Sequence, residues 1–137
     1  MIKNDQSYSV SIILPILNEI NSLKKTIKIL NKINVQKEYL IIYSERLTNN
    51  SVKKEIINLK KRNKNISYKS QLRPFVGGAI DLGIKLAKKN YIVIMASDLE
   101  TNPNELKNMI KVSKKNPKCI ISADRWISQK GFNNYGI

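Results

Sequence analysis

The 137-residue sequence contains no histidine and only one cysteine, Cys119. Without histidine, a histidine catalytic base and a typical zinc site are excluded, so any bound metal should be a hard ion held by oxygen ligands. A single cysteine cannot form a disulfide framework, and a reducing cytoplasm is therefore the default compartment. We expect Cys119 to be a small core residue, because it lies in a predicted strand.

Long apolar segments are also missing. No stretch approaches the ~20 continuous apolar residues of a membrane-spanning helix, and residues 1–9 lack the apolar core of a signal peptide. Hydrophobic residues still make up 42% of the chain, which is typical of a globular protein. The length predicts a single domain over residues 1–137. Residues 129–137 finish no element and indicate that the domain is truncated at its C-terminus.

Acidic residues are few, with 10 Asp and Glu against 25 Lys and Arg, and the net charge is +15. Most of the positive charge is lysine scattered over amphipathic helices. The aromatic residues expected on a single-stranded nucleic-acid surface are missing. We therefore favour a solvated cationic surface and expect no nucleic-acid partner. Attraction to anionic lipid or to phosphorylated substrates is the functional alternative.

Apolar periodicity predicts strands that alternate with helices. The predicted strands are residues 7–14, 38–43, 66–69, 91–96 and 118–123, and the predicted helices are residues 19–33, 51–59, 77–87 and 102–114. This order is typical of an α/β protein with a mostly parallel sheet and helices on its faces, in three layers, α/β/α.

The strongest functional signal lies in residues 91–103. The apolar run at residues 91–96 predicts a strand buried on both faces, and Ser97, Asp98 and Glu100 follow it at once. Carboxylates at a strand end are well placed for chemistry, because open parallel sheets bind ligands outside the carboxyl ends of their strands. A capped loop, in which Asp98 satisfies backbone donors, is the alternative.

Parallel topology places two further segments, residues 15–19 and 43–45, at the same edge as residues 96–100. The first helix begins at this edge, and its free N–H groups favour a phosphate or a carboxylate. Gly77 and Gly78 open another helix, where the missing side chains let a ligand approach the backbone. A tight loop-to-helix turn explains these glycines equally well.

Five segments, in order, resemble family 2 glycosyltransferases, which have the Rossmann-like GT-A fold of nucleotide-diphospho-sugar transferases. The segments are VSIILPILNE at residues 10–19, YSERLTNNS at 43–51, GGAIDLGIKLA at 77–87, IVIMASDLETNP at 92–103 and SADRW at 122–126. The similarity is closest to the polyprenol- and dolichol-phosphate sugar transferase branch, of which the chain resembles an N-terminal portion.

The resemblance implies transfer of a sugar from a nucleotide-diphosphate donor to a polyprenyl-phosphate or glycan acceptor. It also implies a place in cell envelope polysaccharide biosynthesis, in the cytoplasm at the inner face of the membrane, with peripheral membrane association. The residues that it implies in nucleotide-sugar binding are Pro15, Leu17, Glu19, Glu45, Arg73, Gly77, Ser97, Asp98 and Arg125.

Within this set, the resemblance implies separate roles. Pro15, Leu17 and Glu19 match positions that line the nucleoside pocket, and Glu45 is the candidate for the base or ribose contact. Arg46, next to Glu45, departs from the family pattern. Arg73 is a candidate for the diphosphate. Arg125 matches an arginine that contacts the diphosphate or an acceptor phosphate, and a surface ion pair explains Arg125 equally well.

A divalent ion, Mg²⁺ or Mn²⁺, is the implied cofactor, because the leaving diphosphate needs charge compensation. Asp98 matches the second acid of the family's Asp-x-Asp metal motif, and Ala96 replaces the first. Glu100 is the candidate for a second metal ligand.

The acid that Ala96 replaces leaves open a second function, a non-catalytic nucleotide-sugar-binding module. A basic nucleic-acid-binding domain is a weaker alternative. The resemblance implies an acceptor base further along than this chain extends, and no acid follows Arg125, so no catalytic residue is assigned.

Overall fold

The alternation of strands and helices predicted from the sequence is present in the computed structural model, which describes residues 8–123. The chain divides into two units, Met1–Pro103 and Asn104–Ile137. The elements of the first unit are β1 (Ser9–Ile16), α1 (Ile20–Asn31), β2 (Gln36–Tyr43), α2 (Asn50–Arg62), β3 (Ile66–Ser70), α3 (Phe75–Leu86) and β4 (Tyr91–Ile94). The second unit contains α4 (Leu106–Lys115), and a 3₁₀ turn, Pro103–Glu105, precedes it.

The four strands form one parallel sheet in the order β3-β2-β1-β4, which confirms the α/β fold. Strand β1 is central, since it pairs with β2 over eight residues and with β4 over four on its other side. The chain therefore moves outward from β1 to β2 and β3, and then returns across β1 to β4. The boundary between β1 and β4 is the topological switch point at which open α/β sheets bind ligands.

Helices cover both faces of this sheet. On one face, Ala79 of α3 belongs to a buried cluster with Ile13 and Leu40. On the other face, the Tyr39 hydroxyl donates to Oδ1 of Asn31 in α1 at 2.7 Å. Because Tyr39 and Leu40 are successive strand residues, their side chains point to opposite faces. Right-handed crossovers explain the arrangement, since the reversed direction of the β3-to-β4 connection places α3 opposite α1.

The prediction for the strand at residues 91–96 is wrong in two respects. β4 ends at Ile94, and it is not buried on both faces, because Ile92 and Ile94 are 44% and 52% exposed. The reason is its position, since β4 is the last strand of the described sheet on that side. An apolar run indicates burial, but the run cannot show whether a strand is central or at an edge.

The strand predicted at residues 118–123 is absent from the described part of the chain. Cys119 is exposed rather than in the core, and Ile120 is 99% exposed. The prediction rested on a short apolar run. A strand also needs a neighbour for its backbone N–H and C=O groups, and no ladder is formed by residues 118–123.

Helix boundaries differ from the predictions by a few residues, as is usual. α2 begins at Asn50, one residue before the predicted cap Ser51, and α3 begins at Phe75, so that Gly77 lies within its first turn.

No helix among residues 8–123 is long and apolar enough to cross a membrane. The single-domain organisation stays a prediction.

α3 packs closely against β1 at Gly83. A Cβ atom at this position would lie 2.5 Å from Cγ2 of Ile13, which is fully buried in β1. Gly77, in the same helix, has no neighbouring atom within 4 Å of the corresponding position. The two glycines therefore differ in packing although both lie in one helix.

We predict that Gly83→Ala lowers the free energy of unfolding by about 1–3 kcal/mol, because the added methyl group displaces Ile13 from a close-packed core. Gly77→Ala, the matched control, should raise the free energy by up to about 1 kcal/mol, because alanine restricts the unfolded chain. Urea unfolding measures both changes. A gain in stability from Gly83→Ala would contradict the described packing of α3 on β1.

Candidate functional site

A cavity of about 870 Å³ opens at the carboxyl edge of the sheet. Its walls are formed by the carboxyl ends of the strands and the segments that follow them, at residues 15–17, 44–47, 71–76 and 94–98, together with Glu19 and Ala79. The cavity thus brings together the strand ends that parallel topology places at one edge. It lies at the switch point between β1 and β4, where this class of sheet binds ligands.

Most of the residues implied in nucleotide-sugar binding line this cavity, namely Pro15, Leu17, Glu19, Glu45, Arg73, Ser97 and Asp98. Gly77 does not line it, although Phe75 and Val76 just before it do. Glu100 is also absent from the lining. Arg125 lies outside the described residues.

The Glu19 carboxylate joins the ends of β1 and β4. Its Oε1 accepts a hydrogen bond from the Leu17 N–H at 3.2 Å, and its Oε2 accepts one from the Asn18 N–H at 2.9 Å. The buried Ser97 hydroxyl lies 3.1 Å from Oε1 of Glu19 and 2.7 Å from the Pro15 carbonyl, and it donates toward both. The resemblance implies only a nucleoside contact for Glu19. The side chain therefore has a structural role that the sequence pattern did not reveal.

These contacts decide the charge of Glu19. Partial burial on its own would raise the pKa of the carboxyl. Hydrogen bonds from three backbone N–H groups, those of Asn18, Glu19 and Leu17, and from the Ser97 hydroxyl favour the charged form and leave the pKa below its ordinary value of 4.5. Glu19 is therefore a carboxylate at neutral pH.

Asn18 fixes the loop between β2 and α2. Its Oδ1 accepts a hydrogen bond from the Asn49 N–H at 2.8 Å, just before α2 begins. Within the loop, Oγ1 of Thr48 accepts from the Ser44 N–H at 3.2 Å. Sequence reasoning missed these contacts. The adjacent Asn and Glu at the end of β1 were the available signal, but their pairing partners are distant in sequence.

Glu45 lies on the cavity wall in an ion pair. Nζ of Lys53, on α2, is 2.7 Å from its carboxylate and also donates to the Glu45 carbonyl. The hydrogen bond from Lys53 is the main cause that lowers the pKa of the Glu45 carboxyl. The side chain implied in base or ribose binding is therefore an exposed carboxylate paired with a lysine from the neighbouring helix.

Two arginines on the cavity wall, Arg46 and Arg73, form no ion pair within residues 8–123. Asp81 interacts electrostatically with Arg73, but Asp81 pairs directly with Lys85 at 2.8 Å. Guanidinium groups without a bonded carboxylate favour phosphate oxygens, which they bind through two parallel N–H donors. The wall can therefore bind an anionic ligand.

Asp98 is exposed in the segment that follows β4, and its contacts agree with the capped-loop role. Its Oδ1 accepts a hydrogen bond from the Glu100 N–H at 3.0 Å, which closes a loop in which Leu99 has a φ of 67°. This bond uses one carboxylate oxygen and leaves the other for a ligand. Within residues 8–123, no three His, Cys, Asp or Glu side chains gather to hold a metal. One carboxylate together with phosphate oxygens and water is enough to hold Mg²⁺.

We predict that Glu19→Gln lowers the free energy of unfolding by about 1 kcal/mol at pH 7, since hydrogen bonds to a partly exposed carboxylate are lost or weakened. Because the folded-state pKa is depressed, the contribution of Glu19 is present above about pH 4.5 and is lost as the pH falls through the folded-state value. The difference between the two proteins should shrink below pH 4.5. Urea unfolding at several pH values measures it, and a constant difference would contradict this role.

The comparison with known proteins agrees with this geometry. The family model of Glycosyl transferase family 2 matches residues 11–137, which include all four strands except the first two residues of β1. A search of the curated proteins finds no match. Since the family model covers nearly the whole chain, the chain belongs to glycosyl transferase family 2.

Proposed function

We propose that the chain binds a nucleotide-diphosphate sugar in the cavity at the carboxyl edge of the sheet. In this proposal the sugar is transferred to a lipid-phosphate or polysaccharide acceptor at the cytoplasmic face of a membrane. Family membership supports glycosyl transfer in general. The observation that carries the donor site is the cavity itself, which combines four strand ends and two arginines without bonded carboxylates at the switch point.

The nucleoside is assigned to the part of the cavity next to β1 and β2. Pro15 and Leu17 provide apolar contact for the base. Glu45 keeps acceptor lone pairs for a ribose hydroxyl even while it is paired with Lys53. Arg46 beside it adds a donor group that can bind a base carbonyl.

The diphosphate is assigned to Arg73. This side chain lines the cavity two residues before α3 begins. The free N–H groups and the positive dipole end of α3 add to its attraction for phosphate. Arg73 would hold the diphosphate both before and during departure, when its negative charge grows.

Asp98 would hold a Mg²⁺ or Mn²⁺ ion together with phosphate oxygens of the donor. When bound, such an ion neutralises the charge that develops on the leaving diphosphate. Glu100 does not line the cavity, so its proposed contribution is restricted to contact through water.

A non-catalytic nucleotide-sugar-binding module is the second candidate function. It is favoured by Ala96, which lines the cavity where the family pattern has an acid. In such a module nucleotide binding would persist without sugar transfer. Binding and turnover therefore have to be measured separately.

We predict that Mg²⁺ strengthens UDP or GDP binding to the chain and that Asp98→Asn reduces this gain about ten-fold, equivalent to about 1.4 kcal/mol. Asparagine keeps an oxygen that can accept from the Glu100 N–H, so the loop should persist while the charge is lost. Glu55→Gln, on α2 and outside the cavity lining, is the matched control and should bind like the wild type. Calorimetric titration with and without metal measures the affinities. A metal effect unchanged in Asp98→Asn would disprove the assignment.

We also predict that Arg73→Gln weakens binding of the nucleoside diphosphate by about 10- to 100-fold, the value of a charge-assisted hydrogen bond of about 1.5–3 kcal/mol. Binding of the free nucleoside should stay the same, because it lacks the phosphates. Arg62→Gln, at the end of α2 and outside the cavity lining, is the control. Equal losses for nucleoside and nucleotide would place Arg73 elsewhere in the site.

A further inference from the structure

A second, smaller cavity lies on the sheet face that α3 covers, separate from the cavity in which we place the donor. Its volume is about 150 Å³, below the roughly 300–1,000 Å³ of sites that take drug-sized ligands. Its walls come from β2, from β3, and from the end of α3 with Lys88 just after it. No residue lines both cavities, so the proposed function leaves the small cavity unexplained.

The small cavity exists because α3 covers only part of its sheet face. Leu86 of α3 packs against the buried cluster that contains Ile13 of β1 and Leu40 of β2. β3 is the edge strand beyond β2, and Ser67 of β3 pairs in register with Leu40, so both side chains point to this face. Ser67 and Lys69 are exposed there. The space between α3 and β3 therefore opens onto an apolar floor.

Glu38 gives the small cavity a fixed negative charge. Its Oε1 accepts a hydrogen bond from the Ser11 hydroxyl at 2.6 Å and one from the Lys88 N–H at 2.8 Å. Ser11 is fully buried in β1, so the carboxylate is held on a rigid strand. Both hydrogen bonds use the same oxygen, and Oε2 therefore keeps its lone pairs for a further donor. A charged donor from a ligand would form a charge-assisted hydrogen bond there.

Positive charge lines the same cavity from two other segments. Lys69 lies on β3 and Lys88 follows α3. Within residues 8–123, neither lysine nor Glu38 takes part in an ion pair. A lysine ammonium on its flexible stem can move to meet an anionic group. The small cavity thus offers charges of both signs above an apolar floor.

We infer that the small cavity binds a zwitterion with an aliphatic side chain, that is, an α-amino acid of the size of leucine. The ammonium group of the ligand donates to Oε2 of Glu38, and its carboxylate pairs with Lys69 or Lys88. Its side chain packs on Leu40 and Leu86. A ligand with one sign of charge would leave the opposite charge of the cavity desolvated and unpaired, which costs free energy. The inference goes beyond the proposed function and does not rest on it.

Amide chemical-shift titration of the isotopically labelled chain with three matched probes tests the class of ligand. L-Leucine carries both charges, leucinamide lacks the carboxylate, and 4-methylpentanoate lacks the ammonium group. The remaining groups are charged at about pH 6.5. We expect leucine to shift the signals of Glu38, Ser67 and Lys88 and to leave those of residues 15–19 and 94–98 unchanged. Each of the other two probes should bind at least about ten-fold more weakly than leucine.

Variants of the chain test each charge separately. Lys69→Gln/Lys88→Gln should weaken leucine binding about ten-fold without weakening leucinamide binding, because leucinamide has no carboxylate. Glu38→Gln keeps an oxygen that can accept from the Lys88 N–H, and it should weaken the binding of leucine but not that of 4-methylpentanoate. Lys61→Gln/Lys64→Gln removes two exposed lysines outside the lining and is the control for net charge. The control should bind leucine like the wild type.

Three results would overturn the inference. If leucine shifts no signals around the small cavity, the cavity is not a site for amino acids. Equal affinity for the three probes means that it binds aliphatic groups without regard to charge. Equal losses in the two double-lysine variants mean that net charge, rather than the lining lysines, attracts the ligand. Titration with UDP or GDP reports on the donor cavity alone, so failure of the donor-site proposal is recognised separately.

Discussion

The cavity depends on the hydrogen bonds of two adjacent side chains at the end of β1. Glu19 accepts from the backbone that follows β1 and from Ser97 after β4, and Asn18 accepts from Asn49 after the β2 loop. Three strand ends that are far apart in sequence are thereby held at one edge of the sheet. Parallel pairing brings the strands together, but it does not by itself fix the loops beyond them. The side chains of Glu19 and Asn18 hold these loops in place through their hydrogen bonds.

This arrangement changes the interpretation of the Asn-Glu pair that marks the end of the first strand. The resemblance implies that Glu19 lines the nucleoside pocket, and the structure places it in the cavity wall with both carboxylate oxygens already hydrogen-bonded. A carboxylate has further lone pairs, so ligand contact and structural support are compatible. Hydrogen bonds within the chain thus already hold the acidic residue of the cavity wall in place.

The fold was predictable from the sequence because apolar periodicity and the strand-helix alternation reflect the same buried sheet. The location of the cavity followed from topology, since parallel strands end at one edge. The exposed side of β4 and the exposed Cys119 were not predictable, because they depend on neighbouring strands rather than on local sequence. The role of Ser97 was also hidden, since its hydroxyl bonds to residues about 80 positions earlier.

The central claim is that a nucleoside diphosphate binds at the carboxyl edge of the sheet between β1 and β4. Amide chemical-shift mapping of the isotopically labelled chain during titration with UDP or GDP and Mg²⁺ tests it most directly. The account predicts that the perturbed signals come from residues 15–19, 44–47, 71–76 and 94–98. Perturbations that instead surround Glu38, Ser67 and Lys88, which line a smaller cavity nearer the start of β2, would contradict it.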